Sequence, residues 1–123
     1  MQFLVIGLDG TDADAKERRL AARQRHIAMG EELRRAGNLW FGAALLNEAG
    51  DMNGSMYLVD FKDRAELQKW LDREPYITGG VWQTVDVRNA NVREPWQFSR
   101  PRKFYEARQK PRGCVAALRR LLP

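Results

Sequence analysis

The chain has 123 residues, of which 44% are hydrophobic and 30% charged, a length and composition typical of one globular domain. Residues 1–8 are apolar too briefly for a signal peptide, and no apolar run approaches the roughly 20 residues that cross a bilayer, so we expect no membrane association. A single cysteine, Cys114, excludes an internal disulfide and suits a reducing compartment, which predicts a cytoplasmic protein.

The net charge of +5 is unevenly distributed along the chain. Residues 1–87 contain 11 Lys and Arg against 14 Asp and Glu, a net charge of −3, whereas residues 88–123 contain 10 against 2, a net charge of +8. A basic tail can bind nucleic acid or dock on an acidic protein surface. Because neither an RNP nor a helix-turn-helix pattern accompanies it, the sequence favours docking on the protein itself over nucleic-acid binding.

The first strand and the first helix occupy the N-terminal third of the chain. Residues 3–8 form a continuous apolar run, which predicts a buried strand over residues 2–8. The turn-rich segment that follows offers Asp12 or Asp14 as the N-cap of a helix that extends to about Ala36. Gly37 is the expected C-terminal stop of this helix, because glycine readily adopts the left-handed conformation.

The rest of the body is predicted to contain three more strands and one more helix. Residues 39–46 are apolar and residues 55–61 mostly so, which predicts two strands joined by a hairpin connection. Asp63 is the expected N-cap of a helix over residues 64–73. Residues 81–92 are the fourth strand. The element order is therefore β-α-β-β-α-β.

This order predicts an α+β, ferredoxin-like fold with both helices on one face of a four-stranded antiparallel sheet. A sheet covered on one face only should alternate apolar and polar residues. Residues 3–6, 39–46 and 56–59 are instead apolar on both faces. The uncovered face would then be a large apolar patch, and a second copy packed sheet to sheet is the simplest cover. We expect a homodimer.

His26, the only histidine, is the first candidate for chemistry. With about 100° per residue, His26 and Arg23 fall within an arc of the first helix bounded by Leu33, Ile27 and Leu20, where polar side chains are unexpected. Histidine exchanges protons near neutral pH, and a neighbouring carboxylate could orient it. Equally, an inward histidine is often a hydrogen-bonded core residue, and Arg23 could simply pair with an acid.

The second candidate is the segment Glu74-Pro75-Tyr76 after the second helix. The proline ends that helix, and the bend aims Glu74 and Tyr76 back at the sheet. Glu74 could be the carboxylate partner of His26, or the segment could be only a helix stop with a packed aromatic ring. Ser55 could bind a ligand or simply begin the third strand. With one histidine and one cysteine far apart, the sequence contains no zinc or haem signature.

These features together resemble the YCII-related (YciI-like) family of the dimeric α+β barrel superfamily. The resemblance covers about residues 1–92. It rests on the apolar first strand, Arg23-Gln24-Arg25-His26, Gly54-Ser55 and Glu74-Pro75-Tyr76. The family has aspartate where this chain has Glu74, which is one methylene longer. Residues 93–123 are not part of the family pattern, and we expect this basic extension to wrap the body or the partner subunit.

The resemblance implies an acid–base enzyme of lyase or isomerase type that acts on a small metabolite without a cofactor or metal. His26 and Glu74 would be the catalytic pair, Arg23 would hold an anionic group, and the substrate-binding residues would also include Ser55, Tyr76 and Trp82. The alternative is a non-catalytic dimer that binds a small ligand or a protein partner. A closed site without a pocket at His26 would favour that alternative.

Overall fold

The computed structural model describes residues 1–93. These form a four-stranded antiparallel sheet with strand order β2-β3-β1-β4, and this ferredoxin-like α+β fold confirms the predicted fold class. No helix in this part of the chain is both long and apolar enough to cross a membrane. The elements are β1 (Gln2–Asp9), α1 (Ala15–Arg35), β2 (Leu39–Leu46), β3 (Met52–Asp60), α2 (Arg64–Arg73), α3 (Pro75–Thr78) and β4 (Trp82–Ala90).

The start of α1 is stabilised differently from the predicted capping. Asp14 occupies the N-cap position but makes no side-chain capping hydrogen bond. Instead, the Asp12 carboxylate accepts from the Asp14 backbone N–H and forms a bidentate ion pair with Arg18 at 2.7 and 2.8 Å. Arg18 also donates to the carbonyl of Gly80, so it ties α1 to the connection before β4. Gly37, with φ +86°, ends the helix as predicted.

The sequence left two interpretations of the segment after α2, a simple helix stop with a packed aromatic ring or a carboxylate partner for His26, and the segment is not a simple stop. Asp63 caps α2 as expected, accepting from the Glu66 backbone N–H at 2.9 Å. Pro75, however, begins the short helix α3, because its fixed φ suits the first position of a helix. Glu74 is the N-cap of α3, and its carboxylate accepts from the Tyr76 backbone N–H at 3.0 Å. The bend therefore has its own regular structure.

The bounds of β1, β3 and β4 also differ from the prediction. β3 begins at Met52, three residues early, because the Asn47 side chain closes a tight turn by accepting from the Ala49 and Asp51 backbone N–H groups. β4 ends at Ala90 and is therefore shorter than the predicted strand. The predicted basic extension lies outside the described residues, apart from Arg93.

The core lies between the helices and one face of the sheet. It contains the alternate residues Phe3 and Val5 of β1, which are fully buried, together with aliphatic and aromatic side chains of β3 and α2. Gly7 continues this face of β1, and the Trp82 ring covers it so closely that a Cβ there would lie 2.3 Å from the ring. The full cluster is Phe3, Val5, Leu33, Leu39, Val59, Phe61, Leu67, Trp70 and Leu71.

Of the three aliphatic residues predicted from the helical wheel to bound the inward face of α1, only Leu33 is buried. Leu20 and Ile27 are exposed, at 65% and 44% of their surface. The buried residues of α1 are Arg19, Ala22 and Leu33. This face is small and polar at its N-terminal end because it lies above a polar site there and reaches the aliphatic core only near its C-terminal end.

The opposite face of the sheet carries apolar side chains that the helices do not cover. Leu4 pairs with Leu58, and Ile6 pairs with Met56, on the face away from the buried Phe3 and Val5. Phe41 of the edge strand β2 pairs with Leu58 and is 44% exposed, and at this edge it also borders the cavity described below. We call this apolar surface of β1, β2 and β3 the open face. The site described next lies on the other side of the sheet.

Candidate functional site

His26 forms a hydrogen bond with a protein side chain at each ring nitrogen. Its Nδ1 lies 2.5 Å from a Glu74 carboxylate oxygen, and its Nε2 lies 2.6 Å from the Tyr57 hydroxyl oxygen. An ionised carboxylate can only accept a hydrogen bond, whereas a phenol can donate one. The arrangement therefore selects the tautomer in which Nδ1–H donates to Glu74 and Nε2 accepts from Tyr57.

Glu74 is the fixed partner in this arrangement. It is 1% exposed, and the oxygen that faces His26 also accepts the Tyr76 backbone N–H of α3. The cap of α3 thus holds the carboxylate in place. Burying a carboxylate costs free energy unless it is hydrogen-bonded, and these two hydrogen bonds offset part of that desolvation cost for Glu74.

Aromatic rings hold the imidazole between them. Tyr76 stacks on His26 with ring centroids 3.7 Å apart and planes 6° from parallel. The Trp82 ring lies nearly perpendicular to the imidazole, with ring centroids 6.0 Å apart. Burial raises the pKa of Tyr76, so its hydroxyl stays protonated at neutral pH. The rings restrict the imidazole orientation and keep its hydrogen-bond partners fixed.

Tyr57 lies between His26 and the rest of the site. Burial, together with the negative charge of Glu74, raises the pKa of the Tyr57 phenol well above its ordinary value. Its ring contacts Trp70 edge-on at 5.9 Å and lies over Gly42, where a Cβ would come within 2.8 Å of it. Tyr57 is therefore a neutral, well-positioned hydrogen-bond donor.

Arg19 forms a second polar group beside this one. Its guanidinium pairs with Asp9 at 2.7 and 3.1 Å, and both side chains are buried. It also donates to the Gly54 carbonyl at 3.0 Å and to Ser55 Oγ at 3.3 Å, and lies 4.8 Å over the Tyr76 ring. Burial lowers the pKa of the Arg19 guanidinium by disfavouring its charged form. The hydrogen bonds and negative charge of Asp9 raise this pKa by more, so it lies above its ordinary value.

A cavity of about 410 Å³ opens between α1 and the β2–β3 half of the sheet. Three arginines line it against one acid, Glu31, which pairs with Arg34 at 3.7 Å. Aromatic rings line much of the remainder. Its volume lies within the range of small-molecule sites. The lining comprises Arg19, Arg23, His26, Ile27, Gly30, Glu31, Arg34, Leu39, Trp40, Phe41, Gly42, Ala43, Ala44, Met52, Ser55, Tyr57 and Tyr76.

The structure places most of the predicted site residues around this cavity. His26 and Tyr76 line it, and Glu74 lies directly behind His26. Arg23 is an exposed lining residue that makes no ion pair within residues 1–93. Ser55 lines the cavity too, but its hydroxyl already accepts from Arg19 and from the Trp82 indole.

Trp82 is the exception. The structure does not place it in the cavity lining, contrary to the prediction. It is 5% exposed and packs on Gly7, because that glycine leaves space above β1. Its indole supports His26 and Ser55 from behind.

Sequence reasoning missed Arg19 and Tyr57. Arg19 lies four residues before Arg23 and seven before His26, so the same helical periodicity places all three on one face. Tyr57 lies two residues after Ser55 in β3, and alternation along a strand places both side chains on the same face of the sheet. Both signals are present in the sequence.

Within residues 1–93, no group of three or more His, Cys, Asp and Glu side chains is arranged to hold a metal ion. The polar groups of the cavity are suited to binding and proton exchange with an organic anion.

Comparison with known proteins gives the family. The YCII-related domain model matches residues 1–93. The chain belongs to the YCII-related family.

Curated relatives agree with this assignment. The chain is 30% identical over 94 residues to the protein YciI of Escherichia coli O6:H1, a match that covers 72% of this chain and 94% of that protein. The YciI of Shigella flexneri matches to the same extent.

Among solved structures, the fold is similar to that of 5-chloro-2-hydroxyhydroquinone dehydrochlorinase from Burkholderia phenoliruptrix, determined in complex with 2,5-dihydroxybenzoquinone. The TM-score is 0.66 at 20% identity, and the match covers 74% of this chain and 94% of that one. This likeness establishes the ferredoxin-like fold.

Proposed function

We propose that this YCII-related protein is a cofactor-free acid–base enzyme of lyase or isomerase type that acts on a small, anionic or aromatic metabolite. The observation that carries the proposal is the hydrogen-bonded pair of His26 and Glu74 at a cavity large enough for such a molecule. Histidine suits proton transfer near neutral pH, and a carboxylate at Nδ1 stabilises the imidazolium that forms.

The charge and the lining of the cavity define the substrate class. Arg23 supplies a positive charge with no ion-pair partner within residues 1–93, so it is the residue we assign to an anionic group of the substrate. Tyr76 and the other aromatic lining residues suit a planar substrate. A dehydrochlorinase of similar fold illustrates such a reaction, but the assignment rests on the residues of this chain.

We also propose that the protein is a homodimer that packs through the open face, and that it is cytoplasmic. The dimer is supported by the apolar side chains of the open face, which in a single chain remain uncovered by the helices. The cytoplasmic location is supported by the single cysteine.

One observation favours the alternative, a non-catalytic dimer that binds a small ligand. Both ring nitrogens of His26 are already bonded to protein groups, Nδ1 to Glu74 and Nε2 to Tyr57. A purely structural network would look like this as well. In that case the cavity would bind an organic anion without exchanging protons with it.

Proton exchange distinguishes the two functions. Phenylpyruvate, pyruvate and oxaloacetate are small anions with an acidic C–H bond, and NMR in D₂O follows the replacement of that hydrogen by deuterium. We expect the protein to accelerate exchange with at least one of them, and His26→Gln to lose about 10²–10⁴-fold of that rate. Glu32→Gln, an exposed change in the same helix, is the control. Full activity of His26→Gln would contradict the proposal.

A further inference from the structure

The orientation of His26 raises the question of which atom meets the substrate. Nδ1 faces the buried Glu74, so only Nε2 could exchange a proton with a molecule in the cavity. The Tyr57 hydroxyl, 2.6 Å away, already occupies that position. Tyr57 itself lines the cavity. His26 also lines the cavity, but its Nε2 is already bonded to the phenol, so the Tyr57 oxygen is the group that a substrate proton meets first.

Building on the proposed function, we propose that Tyr57 is the catalytic residue that exchanges a proton with the substrate, and that His26 and Glu74 act through it. The Tyr57 oxygen takes the proton from the substrate C–H or O–H bond while its own proton passes to Nε2 of His26. The electron pair of the broken bond stays on the substrate, either as an enolate or to expel a leaving group. The imidazolium faces the Glu74 carboxylate, and the reverse transfers return the proton.

The hydrogen bonds of Tyr57 leave it able to do this. In the selected tautomer its hydrogen points to Nε2, so its oxygen lone pairs remain. Within residues 1–93, His26 is the only hydrogen-bond partner of this hydroxyl. An acidic hydrogen of a bound molecule can therefore approach the oxygen without breaking an existing hydrogen bond. The phenol would act as a bridge between the cavity and the imidazole.

The environment of Tyr57 disfavours the simpler alternative, a preformed phenolate. Burial and the charge of Glu74 both raise the pKa of this phenol, so it does not ionise alone at neutral pH. A transfer in which the phenol gains one proton as it gives up another keeps it neutral throughout. The negative charge then develops on the substrate, where Arg23 can stabilise it.

The ring is held in the place that this role requires. Gly42 of the neighbouring strand provides the space in which the Tyr57 ring lies, since a Cβ there would come within 2.8 Å of the ring. The Trp70 ring packs nearly perpendicular to it, with ring centroids 5.9 Å apart. The hydroxyl is therefore presented by a strand in the middle of the sheet and not by a loop.

The hydrogen bond can be measured without a substrate, because the protein contains one histidine. In a sample labelled with ¹⁵N-histidine, the two ring nitrogens of neutral His26 give two signals that need no assignment among residues. We expect Tyr57→Phe to shift the Nε2 signal towards that of an unbonded acceptor while Nδ1 keeps its proton. Tyr76→Phe, which keeps the stacked ring, should leave Nε2 unchanged. An unchanged Nε2 signal in Tyr57→Phe would overturn the proposal.

Turnover is tested with whichever of the three keto acids exchanges fastest. We expect Tyr57→Phe to lose at least about 10²-fold in kcat with little change in KM, and the Tyr57→Phe/His26→Gln double variant to be no worse than His26→Gln, because the two groups act as a unit. Retained activity in Tyr57→Phe with loss in His26→Gln would overturn this inference and leave the proposed function standing. Retained activity in both variants, or no exchange by the unaltered protein, would overturn the proposed function and this inference with it.

Discussion

At the scale of single residues, Glu74 performs two tasks with one carboxylate oxygen. It caps α3 through the Tyr76 backbone N–H, and it accepts from Nδ1 of His26. Glutamine has nearly the same size and can still cap the helix, but it carries no charge. Replacing Glu74 by glutamine therefore separates its electrostatic task at His26 from its structural task at α3.

We predict that Glu74→Gln lowers the exchange rate with a keto acid about 10²-fold, because a neutral amide stabilises an imidazolium poorly. The ¹⁵N spectrum should also show a mixed population of His26 tautomers, since an amide can donate to Nδ1 as well as accept from it. Glu32→Gln is the matched control, being the same change at an exposed position. A single Nδ1–H tautomer in Glu74→Gln would contradict the role given to the carboxylate.

Tyr57 gives a prediction for alkaline pH. Burial and the charge of Glu74 raise the pKa of Tyr57 in the folded protein above the ordinary phenol value near 10. At a pH between these two pKa values, the unfolded chain has lost the Tyr57 proton and the folded protein still keeps it. The stability that the folded protein gains by keeping the Tyr57 proton is therefore fully present below about pH 10 and is lost as the pH rises through the higher folded pKa. We expect the free energy of unfolding to fall with pH above 10 by up to about 1.4 kcal/mol per unit more than in Tyr57→Phe, as urea titrations would measure. Equal slopes in both proteins would contradict it.

At the scale of elements, two glycines show how local space determines the effect of one substitution. Gly7 in β1 lies under the Trp82 ring, and an added Cβ would come within 2.3 Å of it. Gly30 in α1 has no atom within 4 Å of an added Cβ. Alanine should therefore have opposite effects at the two positions.

We predict that Gly7→Ala destabilises the protein by about 1–3 kcal/mol, because it forces Trp82 out of its place. Gly30→Ala should stabilise it by about 0.5–1 kcal/mol, because alanine loses less conformational entropy in a helix. Chemical denaturation of the two variants beside the unaltered protein measures both values. Destabilisation by Gly30→Ala would show that the cavity side of α1 is more crowded than the structure indicates.

Elements were more predictable from the sequence than the site was. The bounds of β2 and α2, the Asp63 cap and the Gly37 stop followed from local signals that tertiary packing did not override. The helical wheel of α1 predicted Leu20 at the border of the inward face, but Leu20 is exposed. Hydrophobicity alone does not show that a helix packs a polar face on a site. The contact of His26 with Glu74 depends on a 48-residue separation that no local pattern encodes.

At the scale of the whole molecule, the open face is the main feature left uncovered by the helices. Leu58 lies in its centre, on the strand between β2 and β1. Leu20 is also a surface leucine, 65% exposed, but it lies on α1 on the other side of the sheet. The two positions therefore form a matched pair for testing assembly.

We predict that Leu58→Lys weakens the dimer at least about 100-fold, because an unpaired ammonium in an apolar interface costs several kcal/mol. Leu20→Lys should leave the dimer intact. Analytical ultracentrifugation over a range of concentrations measures both dissociation constants. A monomeric unaltered protein at micromolar concentration, or equal dissociation constants for the two variants, would contradict dimerisation through the open face.

The alternation of side chains along β3 assigns neighbouring residues to different surfaces. Ser55 and Tyr57 face the cavity, whereas Met56 and Leu58 belong to the open face. A register slip of one residue would exchange the two sets and remove the phenol from His26. Insertions and deletions should therefore be tolerated in the turn after Asn47 and rejected within β3. In a family alignment, that strand should keep a constant length even where its individual side chains vary.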